Sequence, residues 1–158
     1  MLFVAGCGES PQFKVVKVNG NVLVDDKPMA GIGVMFSPVD AGQQPCGGVT
    51  DANGNFVVTT GVMKPGAGAM VGKYNVVFSK GHREGARMSP EEYDANFSFR
   101  VPGFIYEIPK RYRNPATSGI EPVDVTSDPK KNDFKFVLTT EGLDKDNAGL
   151  ATVKAKKK

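Results

Sequence analysis

Apolar residues recur at every second position over several short segments, and each segment is bounded by turn-forming residues. That period matches a strand with one buried face; an amphipathic helix would space its apolar residues by three and four. Val16, Val18, Val22 and Val24 share one parity, interrupted at Asn19-Gly20-Asn21, where the glycine predicts a bulge, a kink or a tight hairpin. After a turn at Asp25-Asp26-Lys27-Pro28, Ile32, Val34 and Phe36 face one way. A brief strand from Cys46 to Thr50 leads into Asp51-Ala52-Asn53-Gly54, and Asn-Gly is a strong hairpin signal because both residues accept positive φ. Strands are predicted again over Asn55–Thr60, Lys73–Lys80, Pro122–Thr126 and Asn132–Thr140, with Phe56, Val58, Tyr74, Val76, Phe78, Phe134, Phe136 and Leu138 inward.

Such a series makes about seven strands at sandwich-like spacing, without the crossover helices that a parallel sheet needs. The expected architecture is all-β: an antiparallel Greek-key β-sandwich with one shared core. The 158 residues suit one domain, and the 19 glycines and 11 prolines agree with many turns. The division expected is a tether over 1–12, the sandwich over 13–140, and a Lys-rich tail over 141–158 that is flexible or weakly helical. Residues 81–113 break the alternation and form a loop-helix insertion. Ser89-Pro90-Glu91-Glu92 within it has the form of a helix start with a capping box. The Gly-rich stretch from Gly61 to Gly72 is expected to be a flexible connection.

Composition argues against several activities. The net charge of +3 comes largely from the terminal Lys154, Lys156, Lys157 and Lys158, so no basic face with interleaved aromatics points to nucleic acid. His82 is the one histidine, it stands beside no nucleophile motif, and a metal site needs three or four ligands. Asp51-x-Asn53-Gly54-Asn55 hints at a calcium loop, but its glycine is fourth and Val62 is twelfth, which favours a hairpin. Asp25-Asp26 and Glu91-Glu92 have ordinary places in a turn and in the first turn of a helix. The chain is therefore expected to bind, not to catalyse, and to need no cofactor or metal.

Val4-Ala5-Gly6-Cys7 resembles a bacterial lipobox, followed by the polar tether Gly8-Glu9-Ser10-Pro11-Gln12. It implies lipid on Cys7, export, and attachment to a membrane at the cell envelope. The basic start and full apolar stretch of a secretory signal are not seen before Cys7, so a first-strand reading of these residues stays open. If the chain is exported without lipid, a Cys7 to Cys46 bridge competes; otherwise Cys46 is a small apolar residue.

Gly20 to Phe36 (GNVLVDDKPMAGIGVMF) is similar to the opening of carboxypeptidase regulatory-like domains: a G-x-V strand, a D-K-P turn and a strand ending in an aromatic. Val49 to Phe56 (VTDANGNF) resembles the same family's T-D-x-x-G-x-F hairpin, and Gly72 to Val76 its G-x-Y-x-V strand. Ile108 to Ile120 (IPKRYRNPATSGI) is similar to the P-x-x-Y-x-x-P-x-T-S-G-L signature of planctomycete-type lipoproteins built on this domain. The resemblance implies a transthyretin-like or immunoglobulin-like sandwich and an exported lipoprotein, and it implies no defined ligand. The expected binding region is the insertion, where Tyr106, Lys110, Arg111, Tyr112 and Arg113 offer the aromatic and arginine content that interface hot spots favour. A protein or an envelope polymer is the partner expected, with a small-ligand or carbohydrate-binding module as the alternative.

Overall fold

The computed structural model describes residues 14–61, 66–83 and 104–154. Eleven strands are found among them: β1 (Asn19–Val24), β2 (Lys27–Pro28), β3 (Gly33–Pro38), β4 (Cys46–Val49), β5 (Asn55–Val57), β6 (Thr59–Thr60), β7 (Gly72–Ser79), β8 (Gly81–Arg83), β9 (Phe104–Tyr106), β10 (Val123–Val125) and β11 (Asp133–Leu138). The larger sheet runs β10-β7-β3-β4-β6, and the smaller has β11 beside β1, with β2 and β5 both on the other edge of β1. The two layers close on one core, so the all-β sandwich expected from the alternation is the architecture found. β8 and β9 form a separate antiparallel pair at the far end of β7.

Four phenylalanines join the layers. Phe36 lies 6.2 Å from Phe56 between ring centroids, Phe56 6.3 Å from Phe136, and Phe136 5.0 Å from Phe78. Phe36 and Phe78 come from the larger sheet, Phe56 and Phe136 from the smaller, and all four are buried. Each such ring contributes on the order of 2–3 kcal/mol by leaving water, with an added increment from its aromatic neighbours. Val18, Val22, Val24, Val34, Tyr74, Val76 and Leu138 fill the remaining volume.

Some local expectations are corrected. β1 pairs with β11 in parallel, from Asn19 opposite Asp133 to Val24 opposite Leu138, where wholly antiparallel sheets were expected. β1 is also continuous through Gly20, with no bulge. A Cβ at Gly20 would stand 2.2 Å from the Phe134 carbonyl oxygen and 2.7 Å from the Phe56 ring, so this glycine makes room for the aromatic layer.

Asn55–Thr60 is two strands: β5 pairs with β1 and β6 with β4, so the chain crosses between layers at the buried Val58. In the turn before β5, Gly54 takes a positive φ of 76° but Asn53 does not. The Asp51 carboxylate holds this turn by accepting from the Asn53 and Asn55 amides, each at 2.9 Å. The two-residue positive-φ turn lies instead at Asp25 (48°) and Asp26 (62°), between β1 and β2. Asp25 is secured there by the amide and hydroxyl of Thr140.

The Gly-rich connection is pinned over its second half. Val16 and Ala69 exchange backbone hydrogen bonds of 2.8 and 2.9 Å, and the Thr60 hydroxyl donates to the Gly68 carbonyl. Two helices are α1 (Pro115–Ser118), between β9 and β10, and α2 (Leu143–Lys154), beyond β11. α2 covers the first part of the tail that was expected from residue 141 to be flexible or weakly helical: its Asn147 exchanges two 2.9 Å hydrogen bonds with the Tyr106 backbone. The helix start expected at Ser89-Pro90-Glu91-Glu92 lies outside the described residues.

Gly20→Ala is expected to destabilise the fold by about 3 kcal/mol, because the methyl group meets backbone that cannot yield cheaply. Urea unfolding checks it: the midpoint should fall while the m-value stays constant.

Candidate functional site

The segment from Ile108 to Gly119 forms a plug against the end of the sandwich. Ile108, Pro109, Tyr112 and Ser118 are buried. A 3-10 turn over Lys110–Arg113 carries Tyr112 inward, and Asn114 then caps α1 by accepting from the Ala116 amide at 2.9 Å, with Pro115 at the first helical position. Gly119 ends α1 with a φ of 69°, a conformation that favours glycine. The Thr117 hydroxyl donates to the Arg111 carbonyl, and the Ser118 hydroxyl accepts from the Ile120 amide. The prolines, tyrosine, threonine, serine and glycine of this motif thus build the plug itself.

Two arginines on the 3-10 turn have opposite fates. Arg111 spends its guanidinium on the Glu141 carbonyl, the Thr139 hydroxyl and the Tyr112 hydroxyl, at 3.0, 2.8 and 3.1 Å. The same phenol oxygen accepts from the Thr139 amide at 3.0 Å. Burial pushes the Tyr112 phenol up, but the hydrogen bonds from Arg111 and Thr139 outweigh it and hold the group below its ordinary value. Arg113 is exposed and, among the described residues, makes one long hydrogen bond, 3.3 Å to the Tyr106 hydroxyl, while its guanidinium sits 5.9 and 5.7 Å from the ring centres of Phe104 and Tyr106.

Arg113 stands on the rim of an open groove of about 300 Å³ lined by Gly31, Gly33, Ser79, Gly81, Phe104 and Tyr106, with Val49, Lys80 and Ile108 completing it. The floor has no side chains at Gly31, Gly33 and Gly81. Phe104 packs directly on Gly81, where a Cβ would stand 2.5 Å from its ring, and it meets Tyr106 edge-on at 4.9 Å. Val49 and Phe104 are 64% and 39% exposed, which leaves an apolar rim open to solvent.

Of the residues singled out from sequence, Tyr106, Lys110 and Arg113 therefore gather at one place, with the Lys110 ammonium 5.6 Å over the Tyr106 ring. Tyr112 and Arg111 do not belong to that surface: the first is 4% exposed and the second donates to three acceptors that hold the plug. Cys7 lies outside the described residues. The groove residues that sequence reading missed include Gly31, Gly33, Val49, Ser79, Lys80 and Gly81; the only sequence signal was the three glycines recurring near strand ends.

A second polar cluster borders the groove. Glu107 bonds Lys80 through one oxygen at 2.9 Å and the His82 Nδ1 through the other at 3.0 Å. The Lys80 ammonium holds the Glu107 carboxyl below the usual carboxylate range; partial burial opposes this and His82 adds to it. Among the described residues no serine or cysteine bonds the His82 ring, and no group of three metal-binding side chains gathers anywhere. Cys46 is buried beside Thr60, and burial pushes its thiol up to about 11, far from a thiolate at neutral pH.

Comparison with known proteins assigns no family. No family model matches the chain, and no curated protein matches it. Among solved structures, a 9R-lipoxygenase from Cyanothece PCC8801 aligns with 84% of this chain and 18% of that chain, at 14% identity and a TM-score of 0.34. A likeness of that size carries no argument about chemistry, and the groove must be read from its own residues.

Two outcomes follow from the plug and the polar cluster. Tyr112→Phe should lower stability by about 1–3 kcal/mol, since the Thr139 amide and the Arg111 guanidinium lose their shared, part-buried acceptor; calorimetry checks it. Glu107→Gln should lower the melting temperature at pH 7, and its difference from wild type should close as pH falls. The sign follows from the depressed folded-state pKa: the carboxylate stabilises above its unfolded value near about 4.3, and that contribution is lost as pH falls through the lower folded value.

Proposed function

We propose that this chain is a non-catalytic binding domain of the bacterial cell envelope, anchored by lipid on Cys7, which engages a protein or envelope polymer through the groove at Tyr106 and Arg113. The observation that carries this reading is the groove itself: aromatic side chains and an exposed guanidinium are held at the end of a rigid sheet, over a floor of glycines. Interface hot spots favour that composition. Exposed aromatic and apolar surface around Phe104 and Val49 gains from being covered.

The lipobox-like Val4-Ala5-Gly6-Cys7 supports the address. The resemblance to carboxypeptidase regulatory-like domains supports an exported lipoprotein and implies no defined ligand. The chemistry around His82 supports a binding role: the His82 ring is oriented by Glu107, but Glu107 is already engaged by Lys80. A nucleophile for it to activate is not found among the described residues.

The double variant Tyr106→Ala with Arg113→Ala is expected to reduce retention of the purified protein on envelope fractions at least about tenfold, while the melting temperature moves by less than about 3 °C. Arg111→Ala should do the reverse, lowering the melting temperature and sparing retention in the folded fraction. Unchanged retention by the double variant contradicts the proposal. The address is tested separately: in a bacterial host, Cys7→Ser should abolish incorporation of labelled fatty acid and release the protein from membranes.

A further inference from the structure

We infer that the groove takes an acidic segment of a peptide chain, with a carboxylate on Arg113 and an adjoining apolar side chain laid on the glycine floor. This rests on the binding role proposed above and specifies its ligand. The contrast between the two arginines carries the argument. Arg111 donates to three acceptors of its own chain, whereas Arg113, among the described residues, makes one long hydrogen bond and has no acidic partner. A guanidinium held in place by two rings is preorganised, and its paired N–H groups match the two oxygens of a carboxylate.

Neighbouring charges leave that role open to Arg113. Glu107 would repel an incoming carboxylate, but Lys80 and His82 already bond both of its oxygens. Lys110 adds a second cation over Tyr106. The rest of the groove is neutral: Gly31, Gly33, Gly81, Ser79, Val49, Phe104 and Ile108 bear no charge. An anion is therefore favoured at one rim and an apolar group along the floor.

Size and shape narrow the class. A volume near 300 Å³ lies at the small end of ligand pockets, which run about 300–1,000 Å³, so it suits a side chain and a neighbouring carboxylate. An acidic sugar would need a bare ring face for stacking, and Tyr106 carries both Lys110 and Arg113 over its ring. The peptide is favoured on that ground.

The test is a titration of the nitrogen-15-labelled protein, followed by amide shifts, with an amidated hexapeptide of alternating leucine and aspartate and with its asparagine counterpart. Saturable shifts are expected at the Gly31, Gly33 and Gly81 amides, with the asparagine peptide at least about tenfold weaker. Arg113→Gln should bring the acidic peptide down to the asparagine level, while Lys135→Gln, on the exposed face of β11, should change nothing. Equal binding of both peptides, or an unaltered preference in Arg113→Gln with well-dispersed spectra, overturns the inference. If oligogalacturonate moves the groove amides and the acidic peptide does not, the peptide assignment falls and the binding groove stands. Groove amides unmoved by either ligand, with envelope retention intact in the Tyr106/Arg113 double variant, would remove both.

Discussion

Contact between Phe36, Phe56, Phe78 and Phe136 is the interaction on which the remaining structure depends. Each sheet contributes two of these rings, and Phe36–Phe56 and Phe78–Phe136 meet across the layers, so neither layer can bury its apolar face without the other. Several features far apart in sequence serve this one layer. Gly20 has no side chain because Phe56 occupies the space. The chain crosses at Val58 because β5 must place Phe56 beside β1 while β6 completes the larger sheet beside β4.

The plug at residues 108–119 extends that core outward. Tyr112 and Ile108 belong to the same buried cluster as the phenylalanines, and the Tyr112 hydroxyl ties the 3-10 turn to the chain just past β11. Arg113 sits next to Tyr112 in sequence, so the burial of one fixes the backbone that presents the other. The groove inherits its rigidity from this arrangement: its floor comes from Gly31 and Gly33, leading into β3, and from Gly81 of β8, which follows β7, and its wall from β9. Asn147 of α2 braces β9 through the Tyr106 backbone.

Much of the fold was legible because strand burial has a period of two, and Phe36, Phe56, Phe78 and Phe136 could be placed inward from their neighbours alone. What alternation cannot encode is which strand lies beside which. The parallel pairing of β1 with β11 joins opposite ends of the domain, and the division of Asn55–Thr60 arises from competition between two sheets for one segment. Glycine was misread in the same way: Gly20 has the local mark of a bulge, but its reason is a ring from a distant strand.

The candidate site was legible only in part. Tyr106, Lys110 and Arg113 were picked out by residue type, and Tyr112 and Arg111 with them, because composition does not distinguish a side chain that faces a groove from one that anchors a turn. Gly31, Val49, Lys80 and Gly81 could not be joined to them from sequence, since strand pairing alone brings those segments together. With a shared phenylalanine layer, the two sheets behave as one cooperative body. Native-state hydrogen exchange measures this most directly: the amides of Val22 and Phe136 in one sheet and of Val34 and Val76 in the other should open with a single common free energy equal to that of global unfolding. If one sheet exchanged at a distinctly lower free energy than the other, the shared core described here would be contradicted.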